Sequence, residues 1–458
     1  EDDRPSFPMA FMIQLRFRGV LDRDRFEAAV ARAVDRHPLL RAHVEYEGGT
    51  PKRWVAAADP MPPIIEVDAD EPFTYPKAEF IDLRTETGLR IWFRQRADTV
   101  EWRLQYHHSC CDGIGAYRFV EDLFCAYHLE CHPEVSADDV FRPLEPERLQ
   151  HRDQFGLTWW QRALRTPAEL WGIVVGLGKF YLQPATKLAT PELAGDAAQP
   201  HEELLEFAEE SLSPAEAKQL RAAAKAEGVT LNDLLLAELL VATQKCCTRY
   251  VPKLRGKSYR VMVPMSLRIE GDELMSACNV VAMVNADRHV SWYRKRQSLL
   301  RSVRLEMQLI KRFRLAIAFE RICSLVAMIP GGMRFLSQSK RCNATTVLSN
   351  LGPLFREVQL PREGARLVVC NLVLDEVASA PPVRDKTHAV FSVLSYPDRL
   401  CFVLNFDRDY FSPDVAAALQ TTFVNELRSV MADHETVQSA ASETGRPEKS
   451  SVASPVGR

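Results

Sequence analysis

No run in the 458-residue chain is both apolar and long enough to span a bilayer. The most apolar stretch, LWGIVVGLGKFYL from Leu170 to Leu182, contains two glycines and a lysine and falls short of the roughly 20 residues required. Neither charge sign dominates. The 58 Lys and Arg residues face 61 Asp and Glu, a net charge of −3, which excludes wholesale nucleic-acid binding but leaves room for local basic patches. No Cys-x-x-Cys pair occurs, so the usual zinc and dithiol spacings are missing. The eleven cysteines include the adjacent pairs Cys110-Cys111 and Cys246-Cys247, which do not resemble a secreted disulfide framework. No signal peptide and no short tandem repeat are visible, and because the first residue is not methionine a short missing N-terminal piece is expected. A cytoplasmic protein in a reducing compartment is expected, with peripheral membrane contact left open.

What is present reads as a folded chain, with 46% hydrophobic and 26% charged residues. Its length suggests two domains. FMIQLRFRG reads as a strand. The helix that follows is capped near Asp22 and ends before Pro38, with Phe26, Val30, Ala33 and Val34 as its apolar stripe. RAHVEYE reads as a strand, and GLRIWFRQR pairs with VEWRLQYHH across Ala97–Thr99. Helical spacing then returns, with Tyr117, Val120, Phe124 and Tyr127 on one face. Residues 1–135 thus form a first α/β unit and 136–201 a Pro- and Trp-rich connector. Residues 202–433 form a second unit, and 434–458 a polar, disordered tail. Within the second unit, helices begin after Ser213 and near Thr230, and SYRVMVPMSLR reads as a strand. One long basic helix runs from Trp292 to Met328, and ATTVLSN, ARLVVCNLVL and LCFVLNFDR are three late strands before a last helix. The similar element order of the two halves hints at duplication.

The densest chemistry lies in LQYHHSCCDGIG, Leu104 to Gly115. Alternation along the strand puts Val100, Trp102, Leu104 and Tyr106 on the core face, and parity extends that set to His108 and the polar set to His107. An inward histidine at a strand end is desolvated and neutral, which suits a base. Asp112 stands where a helix N-cap belongs, and Gly113 and Gly115 permit a tight turn. Four readings stay open on the residues alone. They are a metal site drawing on His107, His108, Cys110, Cys111, His128, Cys131 and His132, a cysteine nucleophile, a histidine base, or a plain strand-to-helix turn.

As a unit, HHSCCDG has the form H-H-x-x-x-D-G. It resembles the signature of the acyltransferase superfamily that contains chloramphenicol acetyltransferase, nonribosomal-peptide condensation domains, plant BAHD acyltransferases, wax ester synthases and alcohol acetyltransferases. Further segments agree in order: RHPLLRAHV (Arg36–Val44), GLRIWF, VTLNDLLLAELLVA, VPMSLR (Val263–Arg268) with Asn279 downstream, and VLSNLGP (Val347–Pro353). The resemblance spans about residues 7–430. It implies an α/β layered fold of two chloramphenicol-acetyltransferase-like subdomains in a V with a central tunnel. His108 would be the general base, Asp112 a brace paired with Arg268, and His107 a supporting neighbour. Gly113 would leave room for substrate, and Ser349 and Asn350 would be tunnel-lining oxyanion donors. No metal and no permanently bound cofactor are implied. The BAHD motif D-F-G-W-G is absent, and GLRIWF only partly echoes the wax-ester-synthase motif.

The reaction so implied moves an acyl group from a thioester, acyl-CoA or acyl carrier protein, to a small-molecule or lipid alcohol. The alternatives are amide formation from a carrier-bound acyl group and an inactive module that only binds a carrier protein. The basic stretch Arg294–Arg314 reads as a solvated face or as a dock for a carrier protein, coenzyme A phosphates or an anionic membrane. A monomer is expected.

Overall fold

The computed structural model describes every residue except 1–2, 48–49, 159, 162–163, 165–166, 168–177, 179–181, 195–203, 205–206, 253–257, 330, 333–341, 343, 386 and 445–458. Strand β1 (Ala10–Arg18) leads into helix α1 (Arg23–Asp35), which Asp22 caps by accepting from the Arg25 amide. A ribbon of β2 (Ala42–Glu47) and β3 (Thr50–Ala56) follows. Next come the short β4 (Ile64–Glu66), then β5 (Leu89–Arg96) and β6 (Thr99–His107) as a hairpin, and α2 (Gly113–Cys131). The alternation read along β6 is obeyed: Val100, Trp102, Leu104 and Tyr106 are all buried. Trp102 lies between Phe17 and Phe26, 4.5 Å from each ring centre, so β1, α1 and β6 share one aromatic core with α2. The apolar stripes foreseen for α1 and α2 are buried in that core.

The connector holds α3 (Ala137–Val140) and short 3-10 turns, while the apolar Leu170–Leu182 stretch falls almost wholly outside the described residues. Then come β7 (Ala208–Leu212), α4 (Pro214–Ala226, capping box from Ser213 and Glu216), α5 (Leu231–Tyr250), β8 (Ser258–Ser266) and β9 (Val281–His289). The expected single basic helix is two: α6 (Arg296–Phe313) and α7 (Ala316–Ala327). Between them Arg314 turns left-handed at φ 50°, and its guanidinium donates to the Phe155 carbonyl. The final elements are β10 (Thr346–Pro353), β11 (Arg362–Glu363), β12 (Arg366–Val369), β13 (Leu372–Ala380), β14 (Ala389–Ser395), β15 (Leu400–Phe406) and α8 (Pro413–Thr444).

Two large sheets result, ordered β11-β12-β13-β1-β6-β5-β4 and β7-β15-β14-β10-β8-β9. Several sequence expectations change. ARLVVCNLVL is not one strand but the hairpin β12–β13, because Cys370 adopts φ 57° at its bend. Strand β14 escaped notice because all seven of its residues are buried, so it shows no alternation. The division at 202–433 does not follow the sheets, since β13 pairs with β1 and carries β11 and β12 into the first sheet. Helix α8 continues to Thr444, past the expected tail start at 434, and the remainder of that tail lies outside the described residues. The reading of the cysteines as a fully reduced set fails at one pair. Cys131, at the end of α2, is disulfide-bonded to Cys370 in the β12–β13 bend, partners 239 residues apart that only this sheet order brings together.

Candidate active site

Strand β6 stops at His107, and the chain then makes a turn whose residues are held one by one. The His107 amide donates to the Gly88 carbonyl at 2.9 Å, the His108 amide to the Met9 carbonyl at 2.7 Å, and the Cys110 amide back to the His107 carbonyl. Cys110 and Cys111 are fully buried, and burial pushes both thiols far above their usual range. A thiol held protonated is a poor nucleophile, so the two cysteines act as small apolar filler.

Asp112 is a four-way junction. Its Oδ1 accepts from the Gly115 amide at 2.8 Å, which caps α2, and from Arg268 Nη2 at 3.0 Å. Its Oδ2 accepts from Arg268 Nη1 at 2.7 Å and from the Val280 amide at 2.9 Å. The fork-to-fork pair joins the first sheet's motif to the segment after β8, and Arg268 also donates to the Cys278 carbonyl. Both side chains are buried. Desolvation works against the charge on Arg268, yet Asp112 outweighs it and raises the guanidinium's pKa.

The glycines serve a purpose other than the turn freedom expected of them. Neither Gly113 nor Gly115 has a left-handed φ. A side chain on Gly115 would approach the Cys278 carbonyl oxygen to 2.8 Å, and one on Gly113 would approach a Leu351 methyl to 2.7 Å. The room beside Gly113 that was assigned to substrate is therefore filled by Leu351, at the end of β10, and both glycines let the second sheet close against the start of α2.

His108 lies one residue past the strand, partly exposed, with Phe11 packed at 5.2 Å from its ring centre. Burial lowers its pKa below the usual histidine value, against the opposing pull of the Asp112 charge and a hydrogen bond to its own main-chain carbonyl. Asn279 Nδ2 donates to that same carbonyl at 2.9 Å and lies 3.2 Å from His108 Nδ1. Nε2 has no protein hydrogen bond among the described residues. His107 is engaged differently. Its Nδ1 accepts from the Ser109 amide and its Nε2 meets Asp3 Oδ2 at 2.9 Å. Burial works to raise the Asp3 pKa, but His107, the Met9 amide and Arg384 together bring it below the ordinary carboxylate value.

Ser349 and Asn350 are half-buried on β10, next to the Leu351 that meets Gly113. Asn350 Nδ2 donates to Asn232 Oδ1 and its Oδ1 accepts from the Gly352 amide. Among the described residues neither Ser349 nor Asn350 bonds to His108, Asp112 or Asn279. The motif reading had named Asn279 without giving it a role, and it missed Asp3 and Met9, whose contacts arise only when the N-terminal segment folds back over β6. No cluster of three metal-ligating side chains occurs among the described residues. Of the residues weighed as ligands, Cys131 is in the disulfide, while His128 and His132 lie ring against ring at 4.5 Å.

No family model matches the chain. Over 138 residues, 28% of the chain, it is 31% identical to an isonitrile lipopeptide synthase of Mycobacterium tuberculosis (strain ATCC 25618 / H37Rv), but it spans only 6% of that protein's length. The similar solved structures include the first condensation domain of the calcium-dependent antibiotic synthetase in complex with a substrate analogue. That structure has a TM-score of 0.65 and 14% identity, over 93% of this chain and 91% of the other. Polyketide synthase associated protein 5 from Mycobacterium tuberculosis gives 0.64 and 14%, over 93% and 95%. SgcC5 from Streptomyces globisporus gives 0.61 and 13%, over 94% of both. With two sheets meeting at a buried aspartate–arginine pair and such neighbours over nearly its full length, the chain has the two-subdomain fold of condensation domains.

Proposed function

We propose that the protein transfers an acyl group from a thioester to a hydroxyl acceptor, with His108 as general base. The observation that carries this reading is the placement of His108 beside Asn279 and the Asp112–Arg268 pair with Nε2 open; in the base form the ring proton sits on Nδ1, shared with the His108 carbonyl. As the acceptor oxygen attacks the thioester carbon, Nε2 takes its proton. When the tetrahedral intermediate collapses, the C–S bond breaks and the thiolate leaves with that proton. Ser349 and Asn350 enter as oxyanion donors at the end of β10, Ser349 being the freer of the two. The donor is acyl-CoA or an acyl carrier protein, and the acceptor a small-molecule or lipid alcohol. Amide formation from a carrier-bound acyl group is the second reading, favoured by the match to a lipopeptide synthase and by the condensation-domain neighbours. An inactive carrier-binding module is disfavoured by the complete His108, Asp112 and Arg268 arrangement.

Acyl-CoA and acyl-carrier thioesters, each offered with alcohol or amine acceptors, separate these readings when thiol release and product mass are followed. Ester product supports the first reading, amide product supports the second, and no turnover of any thioester sinks both. Two further results are expected. The base must be unprotonated, so kcat/KM falls as the pH drops through a pKa below the ordinary histidine value of about 6.5 and stays flat on the neutral side. A pH-rate profile with its acidic limb above that value would contradict the assignment. Asn279→Ala removes one donor from the His108 carbonyl and lowers kcat by up to roughly tenfold, the worth of one hydrogen bond, with KM little changed in steady-state assays.

A further inference from the structure

Helix α6 has two apolar faces. One, built from Leu299, Leu300, Val303, Met307 and Ile310, is buried in the core of the second sheet. The other is the column Leu305, Leu309 and Phe313, spaced i, i+4, i+8 on the far side of the helix and exposed by 58%, 43% and 54%. A surface helix needs only one such stripe, and a second, outward one marks burial against something else. Past the Arg314 bend, at the end of α7, Met328 and Ile329 are also exposed, by 74% and 59%.

Charge lies beside it. From Arg294 to Arg314 the sequence holds eight Lys or Arg and one acid, Glu306, in a chain whose net charge is −3. Glu306 is paired with Arg288. On the helix, Arg301 and Arg312 border the apolar column and Arg304 and Lys311 lie beyond them on the same side. Arg301, Arg304 and Lys311 form no ion pair among the described residues. An exposed Leu/Leu/Phe column bordered by uncompensated cations is the composition of a helix that lies in the headgroup region of an anionic bilayer, apolar face down and cations at phosphate level.

The geometry points to the outer face of α6–α7 as a docking surface for an anionic membrane. Helix α7 packs on β9, the strand that follows the Asn279 segment. An acidic carrier protein would meet the cations but leave the long apolar column unexplained, and a second copy of the chain would set the same cations against each other.

The test is co-sedimentation of the full chain with vesicles of equal parts phosphatidylglycerol and phosphatidylcholine, and with pure phosphatidylcholine vesicles. Binding to the first, at least tenfold weaker binding to the second, and weakening by high salt are expected. Arg301→Gln, Arg304→Gln and Lys311→Gln together should reduce binding to the anionic vesicles roughly 100-fold, at about fivefold per charge. Leu305→Gln with Leu309→Gln should reduce it at least tenfold, with the melting temperature unchanged because both leucines are exposed. If that pair unfolds the protein, the charge variants decide. The proposal is overturned if the wild type binds neither vesicle, binds both equally, or is matched by both sets of variants. Dimerisation abolished by the leucine changes, or capture by an acidic carrier protein in place of vesicles, also overturns it. The assay reads partitioning, so its outcome is independent of whether acyl transfer is found.

Discussion

His108→Ala is expected to lower kcat for the proposed acyl transfer by about 10²–10⁴-fold, the range that general-base assistance supplies. Substrate affinity stays near that of the wild type, because the variant removes the proton acceptor and little of the surface the thioester contacts. The acidic limb of the pH profile disappears with it, as no second group in the turn can replace the base. Cys110 and Cys111 are held as thiols by burial, and His107 is tied to Asp3 and the Ser109 amide. Single-turnover measurement of thiol release checks the magnitude. An alanine variant with wild-type rate and an unaltered acidic limb would remove His108 from the mechanism.

Arg268→Ala is expected to cost about 3–5 kcal/mol, the range seen when one partner of a buried ion pair is removed. The Asp112 carboxylate keeps the Gly115 and Val280 amides but loses both guanidinium bonds, and the Cys278 carbonyl loses a donor. Activity falls with stability because the pair joins the start of α2 to the segment holding Asn279, which in turn steadies His108. The charge-swapped double variant, Asp112→Arg with Arg268→Asp, should not recover. An arginine at 112 has nothing with which to accept from the two amides, although the formal charges still match. Denaturant unfolding and kcat, measured on both variants, check this. Rescue by the swap would mean that Asp112 contributes only its charge.

The sequence made the motif legible because His108, Asp112 and Gly113 are close together in it, and the resemblance supplied Arg268, 156 residues away, as the partner of Asp112. Helices α1 and α4 were readable from caps and a single buried stripe, whereas α2 and α5, buried all round over 122–129 and 233–240, were readable from their caps and length. What stayed hidden depends on tertiary pairing. Strand β14 is buried on both faces and therefore lacks a pattern. The bend at Arg314 occurs without glycine or proline, held by a bond to Phe155 that no local rule anticipates. Asp3 reaches His107 across 104 residues. Gly113 read as turn freedom from its neighbours and as room for substrate from the resemblance, and the position of Leu351 shows a close contact there.

Strand β13 pairs directly with β1, and β1 pairs directly with β6, the strand that ends in the His107–Asp112 turn. During synthesis the chain makes β1, β5 and β6 within its first 107 residues, but the neighbour that covers the outer side of β1 emerges only at Leu372–Ala380. Until β13 has been made, β1 is thus a sheet edge with unpaired amides and carbonyls, the kind of edge that recruits strands from other chains, and the sheet behind His108 stays incomplete.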